Sequence, residues 1–142
     1  MRLGHIGLAA KDPRGLADFY AGFLGLKKVA EAITDESGQM VLMSGRSGGE
    51  PELQLMSNPQ GRHMAFQVDS LAELRRLYAV AKERQTRIMF SVDHGPTLSF
   101  YFTDPEGNAC ELFWVTGRRT AGGNRPIDLA MSEEELLGLI NR

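Results

Sequence analysis

The sequence predicts one α+β domain in which two tandem βαβββ modules form a cupped mixed sheet. Three observations predict this fold class. The chain has 142 residues, 42% of them hydrophobic, which is the composition of one ordinary globular domain. The segment His5-Ile6-Gly7-Leu8 is echoed 58 residues later by His63-Met64-Ala65-Phe66. After each copy, the pattern predicts the same order of one helix and three short strands.

The first module covers about residues 1–58. Its first strand is predicted at Gly4 to Ala10. Asp12-Pro13 then supplies an N-cap and a first-turn proline for a helix that ends near Leu24, before Gly25. Glycine-rich turns separate the short strands that follow. These strands are predicted at residues 27–33, 39–44 and 52–56.

The second module covers about residues 61–116 and repeats this order. A strand is predicted at 63–68, and Asp69 or Ser70 caps a helix that ends near Arg84. The last two strands are joined by Asp104-Pro105-Glu106-Gly107-Asn108, in which proline fixes φ and glycine supplies a positive φ for a tight turn. The three strands of this module are predicted at 87–92, 98–103 and 109–115.

A tail at 117–142 lies outside the repeat, although the whole chain 1–142 is predicted to be one domain. Residues 117–126 are rich in Gly, Arg and Pro and are interpreted as a linker. A short helix is predicted from Ser132 to Ile140, with Ser132 and Glu135 at the spacing of a capping box. We interpret this tail as a solvated linker and a packed terminal helix.

Composition excludes several classes of function. The 16 basic and 18 acidic residues give a formal net charge of -2, so the chain lacks the basic excess that a nucleic-acid binder needs. We expect no membrane partner, because no apolar run approaches the length of a membrane span. The beginning of the chain lacks the apolar region of a signal peptide, and Cys110 is the single cysteine. We therefore expect a cytoplasmic protein.

Two histidines and one glutamate form the candidate metal site. Alternation along the strands places His5 on one face with Gly7, and His63 on the corresponding face with Ala65, so each imidazole has small neighbours. Taken singly, each histidine is more simply a structural residue. Glu111, however, lies in an apolar run, where a buried carboxylate needs a cation or a hydrogen-bond donor. Two imidazoles and one carboxylate are the ligand set typical of non-heme Fe(II), and Mn(II) also fits it.

The chain resembles the vicinal oxygen chelate superfamily over about residues 1–116. The stretch from Val92-Asp93-His94 to Phe100-Tyr101-Phe102 and on through Glu111 is similar to the signature of extradiol ring-cleavage dioxygenases. This resemblance implies the glyoxalase/bleomycin resistance/dihydroxybiphenyl dioxygenase fold and a homodimer. It implies an Fe(II)-dependent enzyme that cleaves a small aromatic diol with O2, with Mn(II), Zn(II) or Ni(II) as alternative metals. His5, His63 and Glu111 would be the ligands, and His94 and Tyr101 would act beside the substrate.

Other activities remain open from the sequence. Dioxygenases of this type usually have a further acid/base histidine in the first module, where this chain has Met43. Glyoxalase-type lyases and isomerases use a fourth metal ligand on the last strand of that module, and here either Glu52 or Gln54 occupies the matching face. A third alternative is a binding module that sequesters bleomycin-like drugs and needs no metal ligands.

Overall fold

The computed structural model of the protein describes residues 1–119 and 123–142. Within these ranges the elements follow the predicted order of two βαβββ modules and a terminal helix. They are β1 (Arg2–Ala9), α1 (Pro13–Leu24), β2 (Lys27–Thr34), β3 (Gly38–Ser44), β4 (Leu53–Met56), β5 (His63–Gln67), α2 (Leu71–Glu83), β6 (Ile88–Asp93), β7 (Thr97–Thr103), β8 (Ala109–Val115), β9 (Arg125–Pro126) and α3 (Glu133–Ile140).

The predicted capping residues stabilise the helix ends. The Asp12 side chain accepts a hydrogen bond from the Gly15 amide, and Gly25 ends α1 in the left-handed conformation with φ of 73°. Of the two candidate caps of α2, Ser70 is the one whose hydroxyl accepts from a helical amide. Ser132 and Glu135 form both hydrogen bonds of the capping box at α3.

Residues Gly4–Met64 form one compact unit. Its strands β2, β3 and β4 pair antiparallel, and β4 pairs parallel with β1, with Gly7 opposite Gln54. Helix α1 covers this sheet through Ala17, which is completely buried. The core of the unit comprises Ala17, Val41, Met43 and Leu55.

Residues Met1–Leu3 and Ala65–Arg142 form a second compact unit. Its strands β6, β7 and β8 pair antiparallel, and Tyr101 lies directly opposite Glu111. Helices α2 and α3 supply the apolar residues that pack on this sheet. The buried core comprises Val68, Leu71, Leu74, Tyr78, Leu98, Phe100, Leu112, Leu129, Leu136 and Ile140.

One segment of the predicted linker forms a strand. Arg125 and Pro126 pair with Asp93 and Val92 of β6, because the outer edge of β6 offers backbone groups that need hydrogen-bond partners. Residues 125–126 of the predicted linker thus form a short, exposed strand. Residues 120–122 of that linker lie outside the described ranges.

Within the described ranges the strand order is β2-β3-β4-β1 in the first unit and β8-β7-β6-β9 in the second. These strands and the helices that cover them confirm the predicted α+β fold class. Within the described ranges, no helix is both long and apolar enough to cross a lipid bilayer.

Candidate functional site

His5 on β1 and His63 at the start of β5 face each other. Their Nε2 atoms are 3.1 Å apart, and their rings meet edge to face at 85°. The Nδ1 atom of His63 lies 2.6 Å from the carbonyl oxygen of Gly61. A carbonyl can only accept, so Nδ1 carries the proton, and this is the tautomer in which the Nε2 atom of a histidine can bind a metal.

Gly7 makes room for this arrangement. A Cβ atom at Gly7 would lie 2.6 Å from Nδ1 of His63 and 2.9 Å from the Gly61 oxygen. The missing side chain at Gly7 therefore admits the imidazole of His63 and its carbonyl partner.

Glu111 on β8 is a buried carboxylate, with only 2% of its surface exposed. The Ser99 hydroxyl donates a hydrogen bond of 2.7 Å to its Oε1 atom. Tyr101 lies opposite Glu111 on β7. Burial raises the pKa of Tyr101, and the charge of Glu111 and a hydrogen bond to it raise that pKa further. Tyr101 is therefore a neutral phenol.

One ligand atom from each of His5, His63 and Glu111 lies within 4.8 Å of the other two. Two nitrogen ligands at about 2.1 Å from a metal, and at right angles, are about 3.0 Å apart. The observed 3.1 Å between the two Nε2 atoms fits adjacent positions on such an ion. The donor set, the spacing and the protonated Nδ1 of His63 therefore fit a divalent metal.

His94 lies in the turn after β6 and contacts Tyr101. Its Nε2 atom is 3.1 Å from the Tyr101 hydroxyl, and its Nδ1 atom is 2.6 Å from Oδ1 of Asn124. Phe90 stacks on the Tyr101 ring with a centroid distance of 4.5 Å, and 51% of its surface is exposed. An imidazole and an exposed aromatic ring thus adjoin Tyr101, which itself lies opposite Glu111.

The structure distinguishes the two candidates for a fourth ligand. The Glu52 carboxylate accepts from the Gly45 amide at 2.9 Å and lies 3.7 Å from Nε of Arg46. Gln54 lies opposite Gly7, on the face of β1 that carries His5. A neutral amide, and not a second carboxylate, therefore occupies the strand position beside the histidines.

Two residues with polar contacts at the site, Ser99 and Asn124, are not among the predicted site residues. Ser99 lies on the same strand face as Tyr101, and this alternation is the signal that could have identified it. Nothing in the sequence neighbourhood of Asn124 indicates a contact with His94.

The family described as "Glyoxalase/Bleomycin resistance protein/Dioxygenase superfamily" matches residues 2–112. Among curated proteins, biphenyl-2,3-diol 1,2-dioxygenase 3 of Rhodococcus globerulus is 29% identical over 117 residues. The match covers 78% of this chain and 62% of the relative, so the chain spans less than two thirds of that protein's length.

Solved structures of enzymes with different activities share the fold. A catechol 2,3-dioxygenase matches with a TM-score of 0.65 and 22% identity, over 89% of this chain and 43% of that one. A Mn(II)-bound glyoxalase from Novosphingobium aromaticivorans matches with a TM-score of 0.67 and 19% identity, over 89% and 42%. At such identities the likeness establishes the fold, and the activity must be argued from the site.

Proposed function

Because the chain belongs to the glyoxalase/bleomycin resistance/dioxygenase superfamily, we propose that it is an extradiol dioxygenase that cleaves a catechol-type aromatic diol with O2. The observation that carries the proposal is the grouping of His5, His63 and Glu111. Tyr101 lies opposite Glu111, and His94 contacts the Tyr101 hydroxyl. The dioxygenase relative supports the same activity.

His5, His63 and Glu111 would hold Fe(II), with Mn(II), Zn(II) or Ni(II) as alternative occupants. Fe(II), when bound, would supply a positively charged, redox-active centre for the reaction of a catecholate with O2. Three protein ligands leave positions open for small molecules. Ser99 holds Oε1 of Glu111 and so fixes the orientation of the carboxylate.

Tyr101 would donate a hydrogen bond during the reaction, and His94 would accept and donate protons. The raised pKa of Tyr101 keeps its hydroxyl protonated, so it can donate a hydrogen bond to a negatively charged oxygen of the substrate. The chain has three histidines, and two of them are the proposed ligands. His94 is therefore the one imidazole that remains for general acid–base catalysis, in place of the acid/base histidine that the first module lacks.

Glyoxalase-type isomerase or lyase chemistry is the alternative. Glu52, just before β4, is the candidate fourth ligand that would add a second carboxylate, but it accepts from the Gly45 amide and lies 3.7 Å from Arg46. A ligand set with one carboxylate keeps a net charge of +1 with Fe(II), which favours an anionic catecholate. The charge of the site thus favours the dioxygenase.

The activity is tested by oxygen uptake. Protein reconstituted anaerobically with Fe(II) is mixed with a panel of catechols and 2,3-dihydroxybiphenyl, while the visible spectrum is recorded. We expect stoichiometric oxygen consumption with a yellow ring-fission product, and none from Glu111→Ala treated identically. No uptake by wild-type protein with bound Fe(II), across the panel, would contradict the proposal and favour isomerase or lyase chemistry.

We also propose that the protein is a cytoplasmic homodimer. Strand β2 lies at one end of the strand order, and Ile33 on it is 81% exposed. On the same unit, Phe19 and Phe23 stack on each other and are 58% and 75% exposed. Such an edge and such an apolar patch favour association. Sedimentation equilibrium that gives the mass of one chain would contradict the dimer.

A further inference from the structure

We propose that Asn124 is a positioning residue of the reaction site, which holds His94 in the tautomer with its proton on Nδ1. The inference rests on the proposed role of His94 and adds to it the tail outside the two modules. With the proton on Nδ1, the Nε2 atom of His94 is an acceptor that faces the Tyr101 hydroxyl. The tail therefore sets which ring nitrogen of His94 is free of a proton and faces Tyr101.

The position of Asn124 is fixed by its neighbours. Asn124 has a φ of 54°, a left-handed conformation that asparagine adopts more readily than most residues. Arg125 pairs with Asp93 across β9 and β6, and its guanidinium donates to the Asp93 carboxylate at 3.0 Å and to the Leu139 carbonyl at 3.1 Å. Asn124 and Arg125 of the tail thus contact His94 and Asp93, two successive residues at the end of β6.

The hydrogen bonds determine the tautomer. The amide oxygen of Asn124 has no proton, so the 2.6 Å contact requires that Nδ1 of His94 donates. A neutral imidazole has one N–H group, and its Nε2 must then accept. The Tyr101 hydroxyl lies 3.1 Å from this bare Nε2 atom, and its single proton faces both His94 and the Glu111 carboxylate.

Nuclear magnetic resonance of the metal-free protein tests the tautomer directly. Long-range proton–nitrogen correlations of 15N-labelled chain, at a pH where imidazole is neutral, distinguish a protonated ring nitrogen from a bare one. The spectrum contains three histidines, and His94→Gln assigns the third. We expect a protonated Nδ1 and a bare Nε2 for His94 in the wild type.

Variants of Asn124 test whether this residue determines the tautomer of His94. Asn124→Ala should shift His94 towards the Nε2–H form that predominates in free histidine, whereas Asn124→Asp retains an acceptor and should retain Nδ1–H. Asn141→Ala makes the same change elsewhere in the tail and should leave the His94 signals unchanged. Nε2–H in the wild type, or an unchanged tautomer in a folded Asn124→Ala protein, would overturn the inference. If Asn124→Ala fails to fold, the wild-type spectrum and Asn124→Asp still decide.

A kinetic measurement completes the test. If the dioxygenase is confirmed, Asn124→Ala should lower kcat by about 10- to 100-fold, a part of what general acid–base catalysis contributes, with KM nearly unchanged. Asn124→Asp should recover most of that loss. An unchanged kcat in Asn124→Ala would count against the positioning role. The magnetic resonance result requires neither metal nor substrate, so failure of the proposed function would be seen separately.

Discussion

Glu111 is the residue on which the chemistry of the site depends. A carboxylate that is 98% buried loses much of its hydration, so compensating partners must stabilise its charge. Ser99 supplies one hydrogen bond, and the nitrogen atoms of His5 and His63 lie close enough to share a cation with it. A divalent metal there would compensate the buried negative charge of Glu111, and this attraction would contribute to the affinity for the metal.

The ligand set is tested by removing single ligands. His5→Ala and Glu111→Ala should each lower metal affinity by at least about 100-fold, beyond the effect of changing an outer partner, because each removes a direct ligand. Titration of metal-free protein, followed by metal analysis, measures the loss. Glu106→Ala removes an exposed carboxylate of the β7–β8 turn and should bind normally. Full metal retention in both ligand variants would contradict the site.

Substitution of Gly7 gives a second test of the metal site, because it disturbs the site without removing a metal ligand. Gly7→Ala brings a Cβ within 2.6 Å of Nδ1 of His63, so it should displace the ring and cost about 1–3 kcal/mol in the free energy of unfolding. Metal affinity should fall as well. Denaturant unfolding and metal titration measure the two effects.

Gly22→Ala is the matched control for that change. Gly22 lies on the exposed surface of α1, and a Cβ there meets nothing within 4 Å. This substitution should raise stability by about 0.4–1 kcal/mol and leave metal binding unchanged. Equal effects of the two substitutions would show that the close approach at Gly7 is unimportant.

At the scale of elements, the end of β6 is held by a buried charge cluster. Asp93 is 1% exposed, accepts from the Gly95 amide at 2.8 Å, and pairs with Arg118 and Arg125. Burial raises the pKa of Asp93, but the hydrogen bonds and charge of Arg118, Gly95 and Arg125 outweigh it, so the pKa lies below 3.8. These contacts fix the turn that carries His94.

The lowered pKa of Asp93 predicts how stability depends on pH. Its carboxylate contributes stability above the ordinary value of 3.8, and that contribution is lost as pH falls through the lower folded pKa. Asp93→Asn should cost about 2 kcal/mol at neutral pH, and its difference from wild type should shrink in acid. Urea unfolding across this range measures the effect. Asp35→Asn, in an exposed turn, should match wild type, and a pH-independent difference for Asp93→Asn would contradict the assignment.

For the whole molecule, folding and metal binding are separable. Each of the two compact units has its own apolar core, and neither core contains His5, His63 or Glu111. A chain of 142 residues buries enough surface to fold without a structural metal. We therefore expect a metal at the proposed site to serve chemistry and to add to a stability that the fold already has.

Chelation tests this separation. Removal of the metal should leave the far-ultraviolet circular dichroism unchanged. Metal at 100 times its dissociation constant should add about 2.7 kcal/mol, which corresponds to a rise in Tm of about 5–10 °C. Scanning calorimetry with and without chelator measures the shift. Loss of secondary structure on chelation would instead indicate a structural metal.

The sequence by itself determined the order of elements, because the signals for it are local. Asp12-Pro13, Gly25 and the Ser132 capping box mark helix ends through their own backbone chemistry, and strand alternation is visible over a few residues. The repeat predicted that His5 and His63 occupy equivalent positions, and the apolar run around Glu111 indicated a carboxylate that needs a partner.

Only the tertiary structure decided which side chains meet. The strand register places Tyr101 opposite Glu111 and brings Ser99 within 2.7 Å of the carboxylate. The pairing of β9 with β6 brings Asn124 to His94 across 30 residues of sequence. Such contacts depend on distances between elements, which a one-residue change of register would abolish and which no local pattern encodes. For that reason the sequence predicts the candidate ligands, while the residues that orient them emerge from the fold.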